Sequence, residues 1–219
     1  GLKILKEGGN AVDAAVAVGF ALAVTLPRAG NIGGGGFMMV YDDKQGKTIA
    51  LDYREKAPSS ASRDMYLDKD GNAVSDLSRY HGLAVGVPGT VAGLLKALED
   101  HGTMSREQVM APAIALAENG IEVTAGLSES LEALSDRLQK WPSTKKIFFK
   151  ADGSAYQPGE RLKQPELAHS LKLIATKGND GFYKGDTARK LVKAVNEAGG
   201  KMSLQDLANY QSIARVPVK

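Results

Sequence analysis

Strand-forming patterns are few in this 219-residue chain, and they are confined to its first part. Residues 37–41 form a short apolar run, residues 48–53 alternate apolar and polar side chains, and residues 83–87 are a third candidate strand. After about residue 90, apolar side chains recur at helical spacing instead. Three short strands do not make a self-sufficient sheet with helices on it. The pattern therefore predicts that a partner chain or a missing half completes the sheet.

Four consecutive glycines, residues 33–36, separate an apolar helical stretch from the first strand. A glycine run is costly in chain entropy, so it predicts backbone that passes close to another group or takes a positive φ. The order of helix, glycines and strand is opposite to that of a dinucleotide-binding fingerprint, so nucleotide binding is not expected. Two interpretations remain open: a tight chain reversal, or a loop that lets a ligand or catalytic backbone come close.

The apolar stretch from Ala14 to Leu26 is interpreted as a buried helix rather than as a targeting segment. Asn10 is a candidate N-cap, and Asp13 falls in the first turn, where a negative charge favours the helix dipole. No small-x-small cleavage site follows, and the stretch is shorter than the about 20 apolar residues of a membrane span. Because it is apolar all round, we expect it between other layers. The start at Gly1 rather than Met suggests an N-terminus that lies upstream or was trimmed.

Composition argues against several classes of function. The 28 Lys and Arg residues against 25 Asp and Glu leave a net charge of only +3, without a basic run, so no nucleic-acid partner is expected. The absence of cysteine excludes a Cys nucleophile and Cys-ligated metals. His81, His101 and His169 share no metal-ligand spacing, and no Gly-x-Ser-x-Gly elbow occurs. Neither a metal site nor a triad hydrolase therefore has local support.

Six helices are predicted after residue 90. One follows Gly89, one is capped by Ser105 with Gln108, and one covers residues 127–138. The others begin at Pro165, contain residues 188–195, and follow Ser203. No linker, repeat or low-complexity stretch divides the chain.

Arg54 is the charged residue of most interest, because it ends the second predicted strand. A guanidinium group can hold a carboxylate through two parallel hydrogen bonds. The alternative is an exposed ion pair with the adjacent Glu55, which would contribute little. The residues alone favour the surface pair.

Several sequence blocks resemble, in order, the large subunit of bacterial γ-glutamyltranspeptidases. They are residues 8–15, 30–37, 52–58, 85–93, 112–117, 181–185 and 206–210. The resemblance extends over residues 1–219, as a large-subunit portion with no internal boundary. It implies an α+β fold, the αββα sandwich of N-terminal-nucleophile hydrolases, incomplete in this chain and helix-rich after residue 90.

The resemblance also implies an activity. Family members are made as one precursor that cuts itself into a large and a small subunit, and the nucleophile is the N-terminal threonine of the small subunit. It attacks a γ-glutamyl amide such as glutathione, and water or an amino acid then accepts the γ-glutamyl group. This chain lacks the threonine block, so we expect no catalytic residue in it and no activity from it alone. The expected partner is the small subunit, and no metal or organic cofactor is implied.

Only one binding residue is carried over from the family. The arginine of the Arg-Glu-x-Ala-Pro motif binds the substrate α-carboxylate, and it matches Arg54. Residues 33–36 are expected to be scaffolding near the site. The resemblance further suggests a periplasmic or secreted protein. Cephalosporin acylases and poly-γ-glutamate-processing relatives remain alternatives, as does a non-catalytic binding or assembly module.

Overall fold

The computed structural model describes residues 1–218, which form α-helices and short β-strands. The longer helices are α2 (Ala11–Thr25), α4 (Thr90–His101), α5 (Arg106–Asn119), α6 (Ala125–Ala133), α9 (Pro165–Lys177) and α11 (Gly185–Glu197). The shorter ones are α1 (Leu2–Lys6), α3 (Ser75–Arg79), α7 (Ser135–Leu138), α8 (Pro142–Phe148), α10 (Asp180–Tyr183) and α12 (Leu204–Ala208). None of the helices within residues 1–218 is both long and apolar enough to cross a bilayer.

The main sheet has three antiparallel strands in the order β1-β2-β5. Strand β1 (Phe37–Asp42) and strand β2 (Lys47–Asp52) form the predicted hairpin, with Phe37 opposite Asp52. Strand β5 (Ile213–Arg215), which was not predicted from the sequence, pairs with the other edge of β2. A separate two-stranded ladder joins β3 (Ile121–Glu122) to β4 (Arg161–Leu162).

The prediction of a strand over residues 83–87 is wrong. Gly82–Ala84 form a 3-10 turn, and the only ladder contact of this run is an isolated bridge between Val87 and Lys56. Backbone N–H groups at the start of this segment bond outside any strand ladder. The Leu83 N–H donates to the His81 side chain at 3.3 Å, and the N–H of the preceding Gly82 donates to the Ala198 carbonyl at 2.8 Å.

Helix α2 begins where the sequence predicts, with a capping box. The Asn10 side chain accepts from the N–H groups of Val12 and Asp13 at 2.8 and 3.0 Å, and Asp13 accepts from the Asn10 N–H at 2.7 Å. The helix packs on α5, which in turn packs on α9. The expectation that α2 is covered on all sides is wrong, because Val18 and Leu22 are exposed along one stripe.

The other predicted helices form, with one break. The helix expected over residues 127–138 is divided at Leu134, where the backbone leaves helical geometry (φ −108°, ψ 7°), and α6 begins earlier than expected. The Thr124 side chain caps α6 by accepting from the Leu127 N–H at 3.3 Å. The capping boxes at Ser105 with Gln108 and at Ser203 with Asp206 are both present.

Candidate functional site

The candidate site lies where the chain leaves strand β2. Beyond the strand, Tyr53 still pairs with the glycine loop, because its N–H donates to the Gly36 carbonyl at 2.9 Å. The next residue, Arg54, donates its N–H to Asp52 Oδ1 at 3.0 Å. The Arg54 carbonyl accepts from the Tyr210 hydroxyl at 2.7 Å. The backbone of Arg54 is therefore fixed on both sides.

The glycine run is explained by close approach rather than by unusual φ angles. None of residues 33–36 has a positive φ. A Cβ atom at Gly35 would lie 2.5 Å from the Tyr53 carbonyl oxygen and 2.8 Å from the Glu55 nitrogen. Such distances are shorter than real Cβ contacts, so only glycine lets this loop lie against the segment that carries Arg54.

The start of helix α4 packs against the same segment. A Cβ atom at Gly89 would lie 2.0 Å from the Tyr53 carbonyl oxygen and 2.1 Å from the Tyr210 hydroxyl. The N–H groups of Gly89 and Thr90 donate to the Gly34 carbonyl at 2.7 and 3.0 Å. The glycine loop, the end of β2 and the start of α4 thus form one close-packed unit around Arg54.

The Arg54 side chain forms the predicted surface pair with Glu55. Its Nε lies 3.2 Å from Glu55 Oε2, which is the surface pair, and its Cζ lies 5.9 Å from the centre of the Phe37 ring. The side chain remains 62% exposed. An ion pair this exposed contributes little to stability. No other hydrogen bond from this guanidinium group occurs within residues 1–218, so N–H donors remain available to a ligand.

A cleft of about 550 Å³ opens beside Arg54. Its walls are residues 33–34 of the glycine loop, residues 54–58 and residues 83–86. Its volume is within the usual range of small-molecule sites. The Lys56 ammonium group is engaged, because Nζ donates to the Gln211 carbonyl at 3.0 Å and lies 5.1 Å from the Tyr210 ring centre. In the part of the chain that the structure describes, Arg54 and Lys56 are the two cations of this cleft, and Arg54 is the one whose side chain bonds only to its sequence neighbour, Glu55.

The groups that hold Arg54 keep fixed protonation states at neutral pH. Burial, together with the negative charges of Asp52 and Glu55, raises the pKa of Tyr210 to about 12, so its hydroxyl stays a donor. The Arg54 N–H and the side chain of Arg215, whose Nε lies 2.6 Å from Asp52 Oδ2, lower the pKa of Asp52. Asp52 therefore stays an acceptor.

Arg54 is predicted from the sequence, but the residues that position it are not. Tyr210 and Arg215 come from the end of the chain, more than 150 residues away, where no local pattern connects them to β2. The only signal was that residues 206–210 form one of the blocks shared with the family.

Asp13, in the block of residues 8–15, has a structural role apart from the cleft. Its carboxylate is fully buried and accepts from the Thr103 N–H and hydroxyl and from the Met104 N–H, at 2.7 to 3.1 Å. Burial tends to raise the pKa of Asp13, but these hydrogen bonds and the one from Asn10 lower it overall. This carboxylate joins the start of α2 to the turn after α4.

Metal-binding geometry is absent from the described part of the chain. No three His, Asp or Glu side chains cluster there in a way that could hold a metal ion.

Comparisons with known proteins agree with this fold. In structure, the chain resembles N-terminal-nucleophile hydrolases. The crystal structure of Helicobacter pylori γ-glutamyltranspeptidase superposes with a TM-score of 0.96 at 48% identity, over 99% of this chain and 62% of that one. The chain belongs to the γ-glutamyltranspeptidase family, whose sequence profile it matches over residues 1–219. The family resemblance and the predicted fold class are thereby confirmed.

Two similar curated relatives are the glutathione hydrolase proenzymes of Pseudomonas sp. (strain A14) and Escherichia coli (strain K12). Each is 48% identical over 219 residues, which is all of this chain but only 38% and 37% of the relatives' lengths. Two less similar structures share the fold. The transpeptidase CapD of Bacillus anthracis superposes with a TM-score of 0.80 at 33% identity, over 99% of this chain and 66% of that one. The cephalosporin acylase of Bacillus halodurans superposes with a TM-score of 0.85 at 29% identity, over 99% of this chain and 41% of that one.

Proposed function

We propose that this chain is the large-subunit portion of a γ-glutamyltransferase and glutathione hydrolase, and that Arg54 binds the α-carboxylate of the γ-glutamyl donor. The observation that carries the proposal is an exposed guanidinium group on a backbone fixed from both sides, at the mouth of a cleft of about 550 Å³. The 48% identity to proteins named glutathione hydrolase proenzyme supports the choice of substrate.

In the proposed reaction, this chain supplies binding and orientation. The planar Arg54 guanidinium donates two parallel hydrogen bonds to the α-carboxylate and so fixes the glutamyl end of the donor. The N-terminal threonine of a small subunit, made from the same precursor, attacks the γ-carbonyl carbon and releases the amine, and its own α-amine acts as the base. Water or an amino acid then takes the γ-glutamyl group. This chain alone is proposed to be inactive.

An uncovered sheet face supports the proposed small-subunit partner. Phe37, Met39 and Tyr41 alternate along β1 on one face and are 61%, 59% and 63% exposed. Strand register places Ile213 of β5 on the same face, where it is also exposed. Contiguous exposed apolar side chains are typical of interaction surfaces. Arg54 lies at the edge of this face, beside Phe37, so the partner would reach the cleft.

The proposal is tested with Arg54→Ala and Arg54→Lys in the full-length, processed protein. Losing a hydrogen bond to a charged group costs about 1.5–3 kcal/mol, so kcat/KM for a γ-glutamyl anilide should fall about tenfold or more. Arg189→Ala is the matched control, because Arg189 is an exposed arginine that pairs with Asp186 on α11. Unchanged donor kinetics in Arg54→Ala would refute the assignment.

The alternatives within the fold differ in substrate. The lower identities of 33% to CapD and 29% to the cephalosporin acylase favour the glutathione proposal over these relatives. A panel of glutathione, a β-lactam side-chain amide and poly-γ-glutamate separates the three. A stable monomer that folds cooperatively and has no partner would favour a non-catalytic module instead.

We also propose that residues 1–219 belong to one domain without an internal boundary and that the protein is periplasmic or secreted. Both rest on the family resemblance. A single unfolding transition of the large subunit tests the first, and cell fractionation tests the second.

A further inference from the structure

A second cleft, of about 540 Å³, shares Ala84 and Val85 with the Arg54 cleft. Three segments that are distant in sequence build it: residues 79–85, residues 137–141 and the last turn of α11 with the residues after it. It differs from the Arg54 cleft in chemistry. No aspartate, glutamate or lysine lines it.

Aromatic and aliphatic side chains form most of this second cleft. Val85, Leu138 and Val195 contribute aliphatic surface. Trp141, the only tryptophan of the sequence, is 41% exposed there, and Tyr80 is 49% exposed. Small-molecule sites are lined predominantly by hydrophobic and aromatic side chains, with a few polar groups that fix the ligand's orientation.

Two arginines give the cleft a positive charge. The Arg137 Cζ lies over the Tyr80 ring, 5.0 Å from its centre, which is within the range of a cation–π contact. Arg79, which also lines the cleft, precedes Tyr80 directly. Within residues 1–218, neither guanidinium group forms an ion pair or a side-chain hydrogen bond.

Helix position accounts for part of this arrangement. Arg79 lies in the last turn of α3 and Arg137 in that of α7, where a cation is favoured by the helix dipole. That effect explains a positive charge at each position. It does not explain why both arginines line the same cleft as an exposed tryptophan.

We propose that this cleft binds a small organic carboxylate with a flat apolar body. The carboxylate accepts hydrogen bonds from Arg137 and Arg79, and the body packs on Trp141 and the aliphatic wall. A small inorganic anion would leave the apolar wall uncovered, whereas an uncharged aromatic molecule would leave both guanidinium groups without an acceptor. The site adjoins the proposed donor site at Ala84 and Val85 but uses other binding residues, so the proposal does not depend on the role of Arg54.

The test is calorimetric titration of the full-length, processed protein with 3-phenylpropanoate. Two matched probes separate the two contacts: 3-phenylpropanamide keeps the ring without the charge, and propanoate keeps the charge without the ring. We expect saturable binding of 3-phenylpropanoate that is at least about tenfold tighter than that of either matched probe, since a charged hydrogen bond alone is worth about this factor.

Variants locate the binding. Arg137→Gln and Trp141→Ala should each weaken the affinity about tenfold, whereas Arg189→Gln, elsewhere on α11, should not change it. Arg54→Ala and a saturating γ-glutamyl donor should also leave the affinity unchanged. If Trp141→Ala lowers the unfolding midpoint, Trp141→Phe, which keeps an aromatic ring, should restore the fold and most of the binding.

Three outcomes would overturn the proposal. Equal affinity for the acid and its amide would mean that no carboxylate is recognised. Displacement by the γ-glutamyl donor would place the probe in the Arg54 cleft instead. An absence of saturable binding in the full-length protein would mean that the cleft is covered there or takes no such ligand.

Discussion

The helical layer and the three-stranded sheet differ in how completely they bury their apolar side chains. Phe20 of α2, Met110 of α5 and Leu171 of α9 are fully buried within this chain. Phe37 and Met39 of β1 are instead more than half exposed. A helix satisfies its own backbone hydrogen bonds, whereas an edge strand leaves backbone groups unpaired, and an antiparallel sheet with a polar outer face can leave that face in water. The exposed face of β1 is instead apolar. The helical layer thus buries most of its apolar side chains within this chain, whereas one face of the sheet does not.

The largest expected effect is a difference in stability between alanine substitutions at a buried and at an exposed phenylalanine. Phe20→Ala in the 219-residue chain should lower the free energy of unfolding by about 3–5 kcal/mol, because it leaves a cavity among buried side chains. Phe37→Ala should cost much less there, because its ring is 61% exposed. Urea unfolding measures both. Equal losses of unfolding free energy in the 219-residue chain would contradict the difference in burial between the helices and the sheet. If Phe37→Ala costs more in the full-length protein than in the 219-residue chain, a partner covers β1 there.

The next effect concerns how the helical layer is held at the start of α2. Asp13→Ala removes the acceptor of the Asn10, Thr103 and Met104 N–H groups, each of which costs about 1–3 kcal/mol when it is buried without a partner. We expect a loss of about 3 kcal/mol in the free energy of unfolding. Asp64→Ala is the matched control, since Asp64 is exposed and should change stability by less than about 0.5 kcal/mol.

The same carboxylate predicts a pH dependence. The pKa of Asp13 is lower in the folded protein than the ordinary value of 3.8, so the folded state favours the charged form. Its contribution is therefore complete above pH 3.8 and is lost as the pH falls below that value. Asp13→Asn lacks the titrating carboxylate. Because this variant is destabilised, its acid unfolding, followed by circular dichroism, should begin at a higher pH than that of the parent protein. Its free energy of unfolding should nevertheless depend less steeply on pH below 3.8. An unchanged dependence in Asp13→Asn would contradict this account.

Replacing glycine by alanine should change the free energy of unfolding in opposite directions in the glycine loop beside the sheet and in helix α6. Gly35→Ala places a Cβ atom 2.5 Å from the Tyr53 carbonyl oxygen, so the loop must move away from Arg54, and overpacking of this kind costs about 1–3 kcal/mol. Gly126→Ala lies within α6, where nothing contacts the added Cβ atom, and should stabilise by about 0.5–1 kcal/mol. Thermal unfolding compares the two. A neutral Gly35→Ala would mean that the loop is not tightly packed.

The helices could be predicted from the sequence more completely than the sheet could. The helices that begin at Ala11, Thr90 and Arg106 were predicted because their caps and apolar spacing are local. Strand β5 was missed and a strand at 83–87 was wrongly expected, because strand pairing is decided by contacts between distant segments. Arg54 was found through a family motif. Its partner Tyr210 was not, since a hydrogen bond across 156 residues leaves no local pattern.

The smallest expected effect tests whether Tyr210 positions Arg54. Tyr210→Phe removes the 2.7 Å hydrogen bond to the Arg54 carbonyl and keeps the ring, which stacks on Tyr183 with 5.7 Å between ring centres. The lost bond is worth about 0.5–1.5 kcal/mol, so we expect the donor KM to rise by about twofold to tenfold while kcat changes little. Steady-state kinetics of the full-length, processed protein with a γ-glutamyl anilide measure this.

Tyr156→Phe is the control for that measurement, because the Tyr156 hydroxyl makes no side-chain hydrogen bond within residues 1–218 while its ring packs on the core. If Tyr210→Phe lowered the melting temperature but left the donor KM unchanged, Tyr210 would only stabilise the fold. If it raised the donor KM without altering the melting temperature, the position of Arg54 would depend on this hydroxyl. The end of the chain would then contribute to the cleft through the backbone of Arg54 rather than by touching the substrate.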